Sequence, residues 1–200
     1  MSKEKILIAA EKLFVEKGFD GTSVRDLSKE AGVNLAMINY YFGGKEKLLE
    51  ALVEKKVNDT RSRLEEFNTR QELTSVERLD QIIEYYVDLI TNNSRFYQMI
   101  HRELGLESRK NLHDNLLELI SRNWEEVRKA LVKGQQEKVF RPDLDTEMVI
   151  MTIFGLVNQS SQSKILKLLT KTSGSNSREN IKTRVKNYLK TLLHDHLIIK

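Results

Sequence analysis

Apolar residues recur every three or four positions along most of the chain, the spacing of helices that bury one face. Ile6, Ala9, Ala10, Leu13 and Phe14 share one side of a first helix over about 3–17, stopped at Gly18. Two short helices are expected on either side of Gly32, where a left-handed backbone is cheap for glycine. In the first, Val24, Leu27, Ser28 and Ala31 line one face; Ser23 is placed to cap it, with Asp26 three residues on able to answer in a variant of the capping box. Asn34 can cap the second, Leu35 to Phe42, which makes about two turns. A fourth helix starts near Lys45 and runs to about Phe67, a fifth covers about 75–91, a short sixth ends at Gly105, and a seventh covers about 108–138. Pro142 then forces a turn, because the residue before a proline is disfavoured in helix.

The last two helices differ in kind. From Met148 to Val157 the chain is apolar nearly all round, so this helix must be covered on both sides. The final helix, about 178–197, carries Val185, Tyr188, Leu189 and Leu192 at helical spacing. Together they suit a four-helix contact across a two-fold axis, with Met148, Ile153, Phe154, Val157, Val185, Tyr188, Leu189 and Leu192 as the candidate dimer interface. A buried central helix in a monomer is the alternative. Between these helices the polar segment 160–180 reads as a loop. The expected fold class is all-α: an N-terminal three-helix helix-turn-helix module in residues 1–47 and a larger helical bundle in residues 48–200, about nine helices in total. One proline and nine glycines in 200 residues agree with this and disfavour a sheet-and-turn architecture.

Composition narrows the chemistry. With no cysteine there is no disulfide, thiolate metal site or cysteine nucleophile. His194 and His196 stand two apart on a helix and face different ways, a poor metal pair. No Gly-rich phosphate loop, H-E-x-x-H or Gly-x-Ser-x-Gly occurs, so neither an enzyme nor a cofactor is expected. The apolar run Ile6–Ala10 is cut by Glu11 and Lys12, shorter than the roughly 7–15 residues of a secretory core. With no stretch near the roughly 18 apolar residues of a membrane span, a cytoplasmic protein without a membrane partner is expected. The net charge of +4 permits nucleic acid, but residues 1–47 hold eight basic and seven acidic side chains, whereas residues 164–200 hold nine and two. The basic tail reads as a solvated helix face, with a second nucleic-acid surface as the alternative.

A bihelical unit like 24–42 buries too little surface to stand alone and is built to present its second helix. Leu35, Ala36 and Met37 at its start can approach base edges in a major groove, and Asn39, Tyr40 and Tyr41 supply donors at phosphate depth. Lys45 and Lys47 stand at the next helix start, where an anion is favoured. The residues alone leave a plain helical hairpin open, with Met37, Ile38, Tyr41 and Phe42 as core.

Residues 6 to 50 resemble the N-terminal module of the TetR/AcrR family of bacterial transcription regulators. The likeness rests on ILIAAEKLFVEKGFDGTSV followed by LSKEAGVNLAMINYYFGGKEKLLEAL. It implies phosphate contacts from Ser23, Asn39, Tyr40, Tyr41 and Lys45, and base-edge contacts from Arg25, Leu35, Ala36 and Met37, with Asn34 heading the reading helix. Asn39 stands where many members have tyrosine, and Gly44 where serine is more usual. The resemblance further implies a homodimer on a double-stranded DNA operator and a small-molecule effector in the larger domain. Tyr86, Phe96, Tyr97, Ile100 and Trp124 are candidates for lining that pocket, although aromatics at helical spacing also read as core. A helical protein-interaction module that keeps the hairpin without reading DNA is the other reading, favoured by the near-neutral front.

Overall fold

The computed structural model describes residues 2–105, 109–161 and 178–199. Among these the regular elements are nine helices: α1 (Ser2–Lys17), α2 (Val24–Ala31), α3 (Leu35–Phe42), α4 (Lys45–Thr69), α5 (Ser75–Asn92), α6 (Ser94–Leu104), α7 (Lys110–Gln136), α8 (Thr146–Ser161) and α9 (Arg178–Leu197). The expected helices are all present, and the all-α class stands. Most of the expected 160–180 loop lies outside the described residues.

The helices pack into two compact units. The first comprises residues 1–60 and 95–122, so the unit that holds the first 47 residues extends beyond them to α6 and the first half of α7. Its core is continuous: Ile6, Ala10 and Phe14 of α1 meet Leu27, Ile38, Leu48, Leu49 and Leu52, and Phe96, Ile100 and Leu116 belong to the same cluster. Burial of this many aliphatic and aromatic side chains, each worth about 1.5–3 kcal/mol, gives α2 and α3 the support they lack alone.

The second unit comprises residues 61–94 and 123–200. In it α5 packs on both α8 and α9, and α8 packs on α9. The start of α5 carries a capping box, Thr74 with Glu77. Just inside, Arg78 is buried and closes the end of α4: its Nε donates to the Phe67 carbonyl, and its Nη2 to those of Arg70 and Leu73, each at 3.1 Å. The Phe67 carbonyl lies in the last turn of α4, where acceptors lack intrahelical donors, and the other two follow it.

A ladder of charge joins α5 to α9. Asp80, Glu84 and Asp88 recur every four residues on α5, and Lys182, Lys186, Lys190 and His194 every four on α9. Lys182 and Lys186 hold Asp88 at 3.1 and 2.8 Å, Lys190 pairs with Glu84, and His194 Nε2 lies 2.8 Å from Asp80. Rising numbers on one helix meet falling numbers on the other, so the pair is antiparallel. Burial alone would raise the Asp88 pKa, but hydrogen bonds from Lys186 and Lys182 overcome it and hold it below its ordinary value. Three of the tail's lysines, Lys182, Lys186 and Lys190, therefore lie along α5 instead of on a solvated face.

After α7, Phe140 is buried and lies across Gly134; a β-carbon at Gly134 would sit 2.1 Å from Phe140 Cδ2. Glycine inside a helix costs about 1 kcal/mol relative to alanine, and here the ring explains it. Overpacking a core costs about 1–3 kcal/mol, so Gly134→Ala is expected to lower the thermal midpoint despite better helix propensity. A raised midpoint in a thermal melt would show that Phe140 yields freely.

Candidate functional site

The two short helices are set by their caps. Ser23 begins α2 with a full capping box: its Oγ accepts the Asp26 N–H at 3.1 Å, and the Asp26 carboxylate accepts the Ser23 N–H at 3.0 Å and its hydroxyl at 2.6 Å. Gly32 ends α2 at φ 63°, and the Val33 N–H reaches back to the Ser28 carbonyl at 3.0 Å. Asn34 begins α3, its Oδ1 accepting the Ala36 N–H at 3.0 Å. The helix leaves through Gly43 at φ 77° and Gly44 at φ 138°, a pair of conformations that L side chains seldom adopt. Glycine in place of serine at 44 thus fits a backbone requirement beyond capping.

Ile38 and Phe42 anchor α3, at 0% and 8% exposure. The opposite side presents Leu35, Ala36, Asn39 and Tyr40, the last 83% exposed, with Tyr41 beside it and Met37 half-buried. The rings of Tyr40 and Tyr41 meet edge to face at 5.2 Å. No residue of α3 is charged. Arg25 on α2 is exposed and has no ion-pair partner among the described residues. The outward face of α3 therefore offers small apolar groups, an amide and two phenols, a set suited to base edges and phosphates, while α2 carries the exposed Arg25 and Lys29.

Two candidates are committed elsewhere. Lys45, expected at phosphate, turns inward: its Nζ donates to the carbonyls of Phe19 at 2.9 Å and Thr22 at 3.0 Å and lies 4.3 Å from the Phe19 ring centroid. A cation in the first turn of a helix opposes the macrodipole, a sign in the sequence that it would seek acceptors elsewhere. Ser23 spends its proton on Asp26, whereas Asn34 keeps its amide N–H groups free of the cap.

The five pocket candidates do not gather. Phe96 and Ile100 belong to the core of the first unit, with Tyr97 packed against it. Tyr86 and Trp124 lie in the second unit, where both meet Phe154, at ring distances of 4.6 and 5.9 Å. Next to Trp124, the buried Asn123 Oδ1 has no hydrogen-bond partner, nor has the Trp124 indole N–H.

The expected dimer face also divides. Ile153, Val157 and Leu189 are fully buried within the chain, Val185 is nearly so, and Phe154 sits between Tyr86 and Trp124. Helical phase explains the division: on α8, Ile153 and Val157 lie on the side that packs on α5 and α9. The outward residues are Met148, Met151, Thr152 and Gly155 on α8, and Tyr188 and Leu192 on α9. Met151 was not singled out from the sequence, because an all-round apolar helix carries no phase signal. The carboxylates and histidines form no group able to hold a metal among the described residues, and no described helix is long and apolar enough to cross a membrane.

Two capped helices, the second bare of charge and presented outward on a helical scaffold, define a helix-turn-helix regulator. The chain belongs to the tetR family of bacterial regulatory proteins: residues 6–52 match that family's N-terminal description, and residues 76–185 match the tetracyclin repressor-like C-terminal domain. The probable HTH-type transcriptional regulator YttP of Bacillus subtilis (strain 168) is 34% identical over 110 residues, 54% of this chain and 52% of YttP, so that match spans about half the relative's length. The HTH-type transcriptional repressor NicS of Pseudomonas putida is 30% identical over 150 residues, covering 72% of this chain and 68% of NicS. Among solved structures, FadR from Bacillus subtilis in complex with stearoyl-CoA superposes with a TM-score of 0.77 at 21% identity, covering 94% of this chain and 97% of FadR.

The capping box makes one group sensitive to acid. Hydrogen bonds from the Ser23 hydroxyl and N–H, then from Lys17, pull the Asp26 pKa down to about 2. An aspartate in an unfolded chain titrates near pH ~3.9, so the fold prefers the ionised form. Its contribution is complete above pH ~4 and is lost as pH falls through the folded value. An NMR titration of Asp26 should give a midpoint at about 2; a midpoint at the ordinary carboxylate value would mean that the cap does not form in solution.

Proposed function

We propose that this tetR-family chain is a DNA-binding transcriptional repressor that binds a palindromic operator as a homodimer and is released by a small hydrophobic or amphipathic ligand. In this reading residues 1–47 bind DNA, and residues 48–200 sense the ligand and dimerise. The observation that carries it is the outward side of α3: Leu35, Ala36, Asn39 and Tyr40 exposed together on a helix anchored by Ile38 and Phe42, with Arg25 exposed on α2. Arg25, Leu35, Ala36 and Met37 meet base edges, while Asn34, Asn39, Tyr40 and Tyr41 hold phosphates. Lys45 supports the turn behind them.

Support for the homodimer comes from α8 and α9. Met148 and Met151 on α8 and Tyr188 and Leu192 on α9 are exposed at 51, 64, 60 and 38%, large apolar side chains of the kind that gather at interaction sites. Gly155 on the same side of α8 would let a second helix approach closely. Two copies joined there place two reading helices on half-sites one helical turn apart. A ligand that binds better to a state with the wrong separation shifts the population away from DNA. Tyr86, Trp124 and Phe154, beside the unpartnered Trp124 N–H and Asn123 carbonyl, are the side chains suited to meet such a ligand in the second unit.

Binding is tested by retardation of DNA upstream of the protein's own gene, and of fragments selected from a random pool, at several salt concentrations. A specific complex is expected. Tyr40→Ala should weaken all sequences about tenfold alike, whereas changes at Arg25 or Met37 should alter preference. Stearoyl-CoA added to the complex serves as an amphipathic probe of release. Failure to retard any sequence would leave a protein-interaction module as the better reading. For the dimer, Met151→Glu should change the solution mass from two chains to one; a wild-type chain that is already a monomer would end the operator geometry proposed here.

A further inference from the structure

The turn from Gly18 to Ser23 sets where α2 begins, and it is gripped from two sides. Lys45 holds the carbonyls of Phe19 and Thr22 from the start of α4. Arg109, immediately before α7, holds the side chains. Its guanidinium carbon lies 4.8 Å from the Phe19 ring centroid, one arm bonds the Asp20 carboxylate, and the other bonds Glu103 Oε2 of α6 at 2.6 Å. Phe19 is 2% exposed and the Glu103 side chain 4%, so the guanidinium is fixed between a buried ring and a buried carboxylate before it reaches the exposed Asp20.

This differs from an ordinary surface pair, which is worth little because two mobile side chains must be ordered. Here the arginine is already ordered, and its two-pronged geometry can serve both carboxylates at once. Burial pushes the Glu103 pKa up, and the hydrogen bond from Arg109 holds that of Asp20 down. The contact spans 89 positions of sequence and joins the turn ahead of α2 to the residue immediately before α7.

We infer that Arg109 is a positioning residue for DNA binding: it ties Phe19 and Asp20 to Glu103 near the end of α6 and thereby fixes the entry of α2 and α3. This rests on the DNA-binding reading above. Arg109 touches no group of α3, so it acts on how the reading helix is held and makes none of the proposed DNA contacts.

The test compares wild type with Arg109→Gln, Asp20→Asn and the double variant by fluorescence anisotropy on a selected DNA, across a salt series, with thermal melts alongside. Each single variant is expected to bind about tenfold more weakly, a typical coupling between distant sites, with unchanged sequence preference. The double variant should be no weaker than the weaker single, because both singles already remove the Arg109–Asp20 contact. The slope of log affinity against log salt should stay at the wild-type value; a slope smaller by about one would make Arg109 a phosphate contact and overturn the inference. Wild-type affinity in Arg109→Gln, or single effects that multiply in the double, would overturn it too. If Arg109→Gln does not fold, Asp20→Asn, which leaves Arg109 on Glu103, is judged by the same affinity and slope. If wild type itself binds no DNA, both the function and this inference fall; if wild type binds and the variants match it, only the inference falls.

Discussion

An eight-residue helix is too short to hold itself together in water, and α3 must nevertheless leave most of its surface bare. The structure resolves this with two deep anchors, Ile38 and Phe42, and with ends determined by Asn34 and the Gly43–Gly44 pair. Everything beneath α3 in the first unit serves those anchors. Leu27 and Ala31 bring α2 close, and α1, α4, α6 and α7 supply one apolar floor. The exposed Leu35, Ala36, Asn39 and Tyr40 take no part in that floor.

Cations in the same region are allocated in a way that bulk charge hides. Lys12 and Lys17 of α1 hold Glu30 and Asp26 of α2, Lys47 holds Glu50, and Lys45 holds two carbonyls. Arg25 and Lys29 on α2, and Lys5 on α1, are exposed and have no ion-pair partner among the described residues. A module that is nearly neutral overall thus leaves few of its eight basic side chains without a partner. Non-specific attraction to a polyanion scales with the phosphates neutralised, so weak general attraction and dependence on local fit follow from the same allocation.

Helix positions, the caps at Ser23 and Asn34 and the left-handed Gly32 were legible in the sequence because each depends on neighbours within a few residues. What was not legible depends on phase or on distance. In α8 every side looks apolar, and only packing against α5 and α9 separates Ile153 and Val157 from Met148 and Met151. Phe96 and Ile100 read equally well as pocket or core until α6 is seen in the same cluster as α1. Arg78 and Arg109 look like ordinary surface arginines in a helical pattern; their partners are Phe67, Arg70 and Leu73 in one case and Asp20 in the other. No local rule reports such pairings.

The charge ladder shows how one long-range pattern does the work of several local ones. Because Lys182, Lys186, Lys190 and His194 repeat every four residues, they occupy one flank of α9, and pairing them with Asp80, Glu84 and Asp88 fixes the rotation of that helix about its axis. Rotation in turn decides which residues are buried: Val185, Leu189 and Leu193 face inward, and Tyr188 and Leu192 are left outside. A slide of one or two residues would break every rung and expose the inner stripe, a penalty both electrostatic and hydrophobic. Half-exposed pairs contribute little stability singly. Their larger effect is specificity: they hold the outer apolar face of α9 in one orientation, where any partner would have to find it.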